Sequence, residues 1–591
     1  MAAAIALSVA FGASVFGPAV FGPAVAGEVT AERLLHAARE PRNWLTHHGS
    51  YAAHRFSALE EIHRGNVSRL RLAFTYELAD PGQGGIWEHG GLEGTPLAED
   101  GRLYITTGWG RVYKLDVREG RPLLEWRYSA RFDRDHIARI ACCGVVNRGA
   151  ALFRGKVFYA ALDGKLRALA KAGGREVWAV QLADPAAGET LTGAPLIVKG
   201  LAVAGVSGGE FGIRGWIAAV DAESGRERWR THTVPAPGEP GHQTWRDGHG
   251  AWKTGGGPAW VTGSYDPELD LIYWGVGNPA PNWDNAYRPG DNLFTDSLVA
   301  LDPDSGAIRW HYQYTPNDPF DFDGVNEHIL IDAATGDTGA GRTVKLAVHA
   351  DRNGFVYALE RTSGRFVWGI PYVDRLNWTR GLDPQSGRPL DYDPALDVQT
   401  YSAGAAPRRG AGEAFHCPAL MGGKNWFPAS YNPGTGLLYI PAIESCGGLL
   451  AATTEPRDYR PRHLFTGGAA TQPERWTGSL TAVDVATGSI AAKRRYPLPL
   501  LGGTLSTAGG LVFFAHGDGA VVAVDAWTLA ELWRYETGVG VNAPPISYAA
   551  GGKQYIAILA GKGGAVHQWF RGAAPHLADL PGGSTLYVFS L

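Results

Sequence analysis

The chain is poor in cysteine, in net charge and in long apolar runs. Its 591 residues include four cysteines, and 54 basic against 58 acidic residues leave a formal net charge of −4. This balance, with no basic run, argues against nucleic acid or an anionic membrane surface as the main partner. No Cys-x-x-Cys-His occurs, so we expect no c-type haem on this chain. Beyond residue 26 no apolar run is long enough to span a bilayer.

The first 26 residues are small and apolar and end in Ala24-Val25-Ala26. A small-x-small triplet after an apolar stretch is typical of a cleavable export signal. Glycines and prolines interrupt the stretch, which disfavours a transmembrane helix, although no lysine or arginine precedes Arg33. We predict a signal peptide over residues 1–26 and export to the periplasm, with an N-terminal anchor as the alternative.

Long helical periodicity is scarce, whereas one pattern recurs along the chain: Ala-x-Asp-x-x-(Thr/Ser)-Gly-x-x-x-Trp. Clear copies lie at Ala219–Trp229 and Ala300–Trp310, and Ala358–Trp368 has Glu360 in the acidic place. Weaker copies centre on Asp116, Ala170, Asp484 and Asp525. Each copy follows a short β-type run, and its Asp-x-x-Ser-Gly segment is a turn signal. The unit is therefore a hairpin with an aromatic residue at a fixed offset.

A repeated hairpin of this kind is typical of a β-propeller, in which neighbouring blades bury one another's faces. Seven copies and a closing blade predict an all-β, eight-bladed propeller with tryptophan-docking repeats over residues 27–591. We expect the eighth blade to join a C-terminal run, 553–558 or 585–589, to an N-terminal strand. The spacing widens after Asp221 and after Glu360, which predicts long loops that carry function. The repeat alone equally suits a binding scaffold.

Two of the four cysteines, Cys142 and Cys143, are adjacent. A disulfide between neighbours closes a ring that fits a planar trans peptide poorly, and strained features of this kind cluster at functional sites. The alternatives are a structural thiol pair or half of a metal site. A Cys-Cys step is a poor chelate, and no Cys-x-x-Cys occurs elsewhere. We expect a disulfide at a cofactor site.

Polar residues in glycine-rich segments interrupt the repeats, and each of them alone could be a turn residue. They are Glu93, Glu210, Asn278, Asp321, Asp323 and Arg352.

Together with the cysteine pair, these segments resemble the PQQ-dependent alcohol dehydrogenases, the quinoproteins whose eight-bladed propeller holds pyrroloquinoline quinone. The likeness runs from about Trp44 to the C-terminus. Cys-Cys-Gly-Val-Val-Asn-Arg-Gly, which begins at Cys142, is a highly specific motif, and Trp-Gly-Val-Gly-Asn-Pro-Ala-Pro, which begins at Trp274, is nearly as specific. The resemblance implies that the bridged Cys142–Cys143 pair covers one face of the quinone and Trp260 the other. It implies further cofactor contacts from Glu93, Arg148, Thr192, Ser207, Gly208, Gly209, Arg352, Asn425 and Trp426.

The resemblance also implies a metal site and a catalytic base. Glu210, Asn278 and Asp321 match the family's metal ligands, all of which offer oxygen to a hard cation. Asp321 matches the catalytic base, and Arg352 matches an arginine near the reactive carbonyl oxygens. Asp323 makes an Asp-x-Asp pair that resembles the lanthanide-dependent subgroup, because a larger trivalent ion favours one more anionic ligand. The alternatives are that Asp323 caps a turn and that the metal is calcium.

The implied activity is oxidation of an alcohol to an aldehyde by hydride transfer to PQQ, with the metal as Lewis acid. The implied partners are a periplasmic cytochrome c as electron acceptor and a second copy of the chain in a homodimer. Cys417 and Cys446 resemble a second, structural disulfide of the family. The competing interpretation is a non-catalytic propeller scaffold, which would have no reason to keep the cysteine pair, the acidic residues and Arg352 together.

Overall fold

The computed structural model describes residues 27–78, 91–334, 343–452, 459–471, 473, 476–561 and 574–591. Over these residues, eight sheets of four antiparallel strands follow one another, and one of them gains a short parallel strand. The fold is the predicted eight-bladed β-propeller. The predicted signal peptide, residues 1–26, lies outside the described residues.

Blades 1 to 4 are four-stranded meanders in which consecutive strands pair. In chain order their strands are Leu97–Glu99, Arg102–Thr106, Arg111–Asp116 and Leu123–Ser129 in blade 1; Ala151–Phe153, Lys156–Ala160, Lys165–Ala170 and Glu176–Gln181 in blade 2; Leu196–Val198, Leu201–Gly205, Trp216–Asp221 and Glu227–His232 in blade 3; and Ser264–Asp266, Leu271–Val276, Ser297–Leu301 and Ile308–Gln313 in blade 4.

Blades 5 to 7 repeat this order, and Phe56–Ser57 adds a parallel strand to blade 7. Their strands are Ile329–Ala334, Thr343–Ala350, Phe355–Glu360 and Arg365–Pro371 in blade 5; Ser430–Asn432, Leu437–Ser445, Trp476–Asp484 and Ser489–Tyr496 in blade 6; and Leu500–Thr507, Leu511–His516, Ala520–Asp525 and Glu531–Glu536 in blade 7.

Blade 8 closes the ring from both ends of the chain, as predicted. Ile546–Ala550, Lys553–Ala560 and Thr585–Ser590 come from the C-terminal part, and Arg71–Glu77 completes the sheet. The N-terminal strand pairs antiparallel with the last strand, from Arg71 opposite Ser590 to Glu77 opposite Thr585.

Helices are short over the described part of the chain. The α-helices are Ala31–Leu35, Arg134–Ala138 and Pro575–Ala578, and the 3₁₀ turns are Ala37–Arg39, Val67–Arg69, Pro185–Ala187, Gly209–Phe211, His242–Thr244, Ala251–Thr254 and Asn285–Tyr287. None of these described helices has the length and hydropathy to cross a bilayer.

The repeated tryptophans dock onto the next blade. The indole nitrogen of Trp229 in blade 3 donates to the Pro303 carbonyl in the turn of blade 4 at 2.9 Å, and Trp126 and Trp533 make equivalent bonds to the following blade. Gly306 of blade 4 lies against the Trp229 ring with φ +73°, and a Cβ there would approach the ring to 2.4 Å. The Ser-Gly turn therefore supplies both the left-handed backbone and the space for the indole.

Three other docking indoles do not make this hydrogen bond. The Nε1 atoms of Trp178, Trp310 and Trp368 have no acceptor among the described residues. These rings still meet the turn glycine of the next blade, which is Gly225, Gly364 and Gly488 respectively. Trp126 and Trp229 also pack against a turn glycine, so this contact is present in copies with and without the hydrogen bond.

The wide gap after Glu360 contains a small extra sheet, which we call the cap sheet. It comprises Ala414–His416, Gly447–Ala451 and Gly468–Ala470. A disulfide with an S–S distance of 1.99 Å joins Cys417, which follows the first of these strands, to Cys446, which lies between the blade 6 strand Leu437–Ser445 and the second. The pairing implied by the resemblance is confirmed.

Candidate active site

The segments predicted to carry the site all reach the same end of the ring. In an antiparallel meander, the connection from the second to the third strand and the connection from the fourth strand to the next blade lie at one end. Glu210, Asn278 and Arg352 lie in connections of the first kind, and Cys142 and Asp321 in connections of the second kind. The propeller topology thus gathers residues that are hundreds of positions apart in sequence.

These residues surround a cavity of about 330 Å³. From the predicted set it is lined by Glu93, Cys142, Cys143, Arg148, Thr192, Ser207, Gly208, Glu210, Trp260, Asp321, Asp323, Arg352, Asn425 and Trp426. The two other predicted residues lie just behind the wall. The Asn278 backbone nitrogen is 3.3 Å from Asp323 Oδ1, and a Cβ on Gly209 would lie 3.6 Å from Asn278 Oδ1. The structure therefore brings the whole predicted set together.

The cysteine pair differs from its prediction. The Cys142 and Cys143 sulfurs lie 2.7 Å apart, beyond the 2.03–2.05 Å of a disulfide, so the expected bond between them is absent in this structure. A thiol hydrogen bond with Cys143, and then burial, raise the pKa of Cys142. A carboxylate oxygen of Glu210 lies within 4.8 Å of both sulfurs, so the cysteine pair lies beside one of the predicted metal ligands.

An arginine between two indoles forms another part of the cavity. The Arg148 guanidinium carbon lies 4.4 Å from the Trp260 ring centroid and 4.7 Å from that of Trp426. Its Nη2 is 2.9 Å from Glu93 Oε2, and beside them Thr192 Oγ1 and Ser207 Oγ are 2.7 Å apart. The Arg148 Nε atom has no hydrogen-bond partner within the described ranges. A cationic donor, two hydroxyls and flat aromatic faces suit a planar anionic ligand.

Burial dominates the electrostatics of this Glu93–Arg148 pair. Removal from water raises the pKa of Glu93 to about 7, against the opposing charge of Arg148. Burial likewise lowers the pKa of Arg148, against the charge of Glu93. For both residues the effect of desolvation on the pKa therefore exceeds that of their mutual attraction. A further polar group in the cavity would reduce this desolvation cost.

Four oxygen-bearing side chains, those of Glu210, Asn278, Asp321 and Asp323, form one side of the cavity, which we call the acidic edge. Asp321 and Asp323 are 8% and 3% exposed, and burial raises the pKa of both, that of Asp323 to about 7, with further repulsion from Glu210. The charge of Arg352 opposes both shifts, and its Nη1 lies 3.0 Å from Asp323 Oδ2. Asp321 Oδ1 and Asn278 Oδ1 are buried without a hydrogen-bond partner among the described residues. Unsatisfied buried oxygens beside three carboxylates fit a hard cation of high charge.

Sequence reasoning missed part of the wall. The third strand of the cap sheet and the residues just before it contribute Leu464, Thr466, Gly468, Ala469 and Ala470 to the cavity. An apolar side is completed by Trp283, Leu420 and Met421. These positions lie outside the repeats and carry no motif, so only the fold reveals them. Two buried acids behind the acidic edge, Asp296 and Asp318, were also missed, although Asp318 precedes Asp321 by only three residues.

Comparison with known proteins agrees with this geometry. A family model described as "PQQ: Glucose/ethanol/alcohol dehydrogenase, beta-propeller domain" matches residues 44–374 and 470–556. The chain is 38% identical over 583 residues to the quinoprotein alcohol dehydrogenase PedH of Pseudomonas putida, covering 95% of this chain and 93% of that protein. It is 35% identical over 601 residues to a quinoprotein ethanol dehydrogenase of Pseudomonas putida, covering 95% and 93%.

Two solved structures share the whole fold. The quinohemoprotein alcohol dehydrogenase ADHIIG of Pseudomonas putida HK5 superimposes with a TM-score of 0.86 at 36% identity, over 95% of this chain and 82% of that one. A europium-containing methanol dehydrogenase superimposes with a TM-score of 0.85 at 33% identity, over 95% and 100%.

Proposed function

The chain belongs to the family of PQQ-dependent glucose, ethanol and alcohol dehydrogenases and is a quinoprotein alcohol dehydrogenase; on that premise we propose that it oxidises alcohols to aldehydes with a lanthanide ion beside PQQ and passes the electrons to a separate cytochrome c. The observation that carries the metal assignment is the second carboxylate of the Asp321-x-Asp323 pair, which lines the same cavity as Glu210.

Charge count favours a trivalent ion at this edge. Glu210, Asp321 and Asp323 offer three formal negative charges, and Asn278 adds a neutral oxygen. Affinity for hard cations is tuned by the number of charged ligands, and the Coulomb attraction to each carboxylate scales with ion charge. The europium-containing methanol dehydrogenase, which shares the fold at a TM-score of 0.85, supports the same choice. Calcium is the alternative that the experiment below separates.

The remaining lining residues would hold the cofactor. We assign its flat faces to the Cys142–Cys143 segment and to Trp260, and its carboxylates to Arg148, Thr192 and Ser207. The backbone at Gly208 and Gly209, together with Asn425 and Trp426, would complete the rim. Glu93 would hold Arg148 through the 2.9 Å contact and face the cofactor with its other oxygen.

Asp321 is assigned the role of general base. PQQ held in this cavity would supply the hydride acceptor, and a hard cation held at the acidic edge would supply Lewis-acid polarisation. The hydroxyl proton of the alcohol goes to Asp321, whose buried Oδ1 is free of hydrogen-bond partners in the described part of the chain. Arg352, whose Nη1 lies 3.0 Å from Asp323 Oδ2, opposes the rise that burial causes in the Asp323 pKa. The apolar wall of Trp283, Leu420 and Met421 excludes water from the reacting groups.

The acceptor, location and assembly follow from the resemblance and from the sequence. A cytochrome c is proposed because the sequence contains no haem-attachment motif. Export to the periplasm rests on the signal-like residues 1–26 and on the Cys417–Cys446 disulfide, which persists in an oxidising compartment. A single propeller unit over residues 27–591 and a homodimer are proposed on the same basis as the family roles.

Dye-linked alcohol oxidation by Asp323→Ala tests the metal assignment. We expect wild-type protein loaded with PQQ and La³⁺ to turn over alcohols and the variant to lose about 100-fold of that activity, because affinity for hard ions depends on the number of charged ligands and even supporting groups of metal sites typically contribute about 10- to 100-fold. Asp135→Ala, an exposed acid near the same end of the ring, is the matched control and should keep full activity. Wild-type turnover with Ca²⁺ but none with La³⁺ would assign the site to calcium.

A further inference from the structure

The loop that carries Asp321 and Asp323 has an unusual backbone. Both residues have left-handed conformations, with φ +67° and +53°, a region that residues other than glycine adopt rarely. Such conformations persist where the surrounding structure enforces them. The loop must therefore have an internal support that keeps both carboxylates facing the cavity.

Asp318 provides most of that support. Its side chain is completely buried. Oδ1 accepts the Phe320 backbone N–H at 2.8 Å, and Oδ2 accepts the Phe322 backbone N–H at 2.9 Å. The two donors flank Asp321 in the chain. One carboxylate thus fixes the peptide groups on both sides of the proposed base, and bonds from N–H groups to an ionised oxygen are stronger than neutral ones.

Asp296 supports the far end of the same loop. Its Oδ1 accepts the Gly324 backbone N–H at 3.3 Å, and its own backbone nitrogen donates to Gly277, the neighbour of Asn278, at 3.0 Å. Backbone N–H groups at positions 320, 322 and 324 therefore point to buried carboxylates behind the loop. The side chains between them, at 321 and 323, line the cavity. This alternation separates the acids that hold the backbone from the acids that face the ligand.

Asp318 is itself anchored to the rest of the protein. The buried Arg288 guanidinium donates to the Asp318 backbone carbonyl, to Pro281 at 3.0 Å and to Asn282 at 2.9 Å. Both of those carbonyls lie in the segment that follows Asn278. The two segments that carry Asn278 and Asp321 are thus joined through one arginine.

We propose that Asp318 is a positioning residue, whose carboxylate holds the 320–324 backbone in the conformation that presents Asp321 and Asp323 to a cation. The inference rests on the proposed function for the identity of the ligand. The support that Asp318 gives to the loop, which we call the brace, is present in the protein without metal or cofactor. Asp318 is not a ligand, because both of its oxygens are used by backbone N–H groups and it does not line the cavity.

Asp318→Asn tests the brace with Eu³⁺ alone as a luminescent probe. Asparagine keeps the size of the side chain and one acceptor oxygen but loses the second, so one of the two N–H groups is released. Loss of a group that orients ligands typically weakens metal binding about 10- to 100-fold, and we expect an increase in the Eu³⁺ Kd of this size. Asp383→Asn is the control for the substitution itself, because Asp383 accepts the backbone N–H groups of Gln385 and Ser386 on one oxygen, which asparagine retains, in an exposed turn away from the cavity. Unchanged Eu³⁺ affinity in Asp318→Asn would overturn the proposal.

Hydrogen exchange of the metal-free wild-type protein gives an independent measurement, which decides the matter even where the variant does not fold. A preorganised loop predicts slow exchange at the Phe320 and Phe322 amides without any ion. Fast exchange at these amides, in a protein whose blade strands are protected, would show that no brace exists. Failure of the wild-type protein to bind Eu³⁺ would sink the lanthanide assignment instead, and the exchange result would still decide the role of Asp318.

Discussion

The buried Glu93–Arg148 pair has a free-energy cost of desolvation that a bound ligand would offset. Glu93 and Arg148 face each other at 2.9 Å, yet burial shifts the pKa of each towards its neutral form. A buried pair with imperfect compensation is weak support for stability. The arrangement is better explained as a binding surface, in which the guanidinium has donors left for an anionic cofactor.

Glu93→Gln should change the pH dependence of the stability of the empty protein. The folded state holds the Glu93 pKa at about 7, above its ordinary 4.5, so folding takes up a proton between these values. The resulting contribution to stability is complete below about pH 4.5 and is lost as pH rises through 7, by up to about 3 kcal/mol. Thermal unfolding of both proteins from pH 5 to 8 checks this. The wild-type midpoint should fall relative to that of the variant, and parallel curves would contradict the prediction.

The sequence predicted which residues meet at the site but not their bonds. Cys142, Trp260 and Asp321 come together because motif order fixes their place in the ring. The motif predicted a bond between Cys142 and Cys143, whereas the structure places their sulfurs 2.7 Å apart without one. Asp318 could have been suspected from its closeness to Asp321, but its role became visible only once the backbone donors were placed.

Each repeat is a hairpin whose turn leaves space for the indole of the preceding blade. The glycine of each Ser-Gly turn has a positive φ and leaves room for a tryptophan of the previous blade, as Gly306 does for Trp229 and Gly364 for Trp310. The sequence shows this directly, since Asp, Gly and Trp keep fixed offsets. The cap sheet could not be predicted in this way. Its three strands pair with one another outside the repeat, and no residues at fixed offsets mark them in the sequence.

Gly306→Ala measures the indole contact. The new Cβ would lie 2.4 Å from the Trp229 ring, so we expect the free energy of unfolding to fall by about 2–3 kcal/mol through strain and displaced packing. Gly436→Ala is the control, because Gly436 has a φ of +72° with no atom within 4 Å of the added carbon, and it isolates the cost of the backbone conformation. The two variants are compared by denaturant unfolding. Equal losses would mean that the indole contributes nothing specific.

At the scale of the whole molecule, the site exists because the ring closes. The strand Arg71–Glu77 pairs with Thr585–Ser590 at the other end of the chain, and connections from several blades then converge on one cavity. The repeat count and the unpaired runs at the two ends predicted this closure. The shape of the cavity depends on the cap sheet and on the long connections, so the preferred alcohol could not be inferred in the same way.

A crystal structure of the protein soaked with PQQ and La³⁺ would show directly whether the cavity holds both the cofactor and the metal. We predict planar density between the Cys142–Cys143 segment and Trp260, and one anomalous peak among oxygens of Glu210, Asn278, Asp321 and Asp323. Planar density elsewhere, or an occupied cavity whose anomalous peak lies away from Asp323, would contradict this prediction.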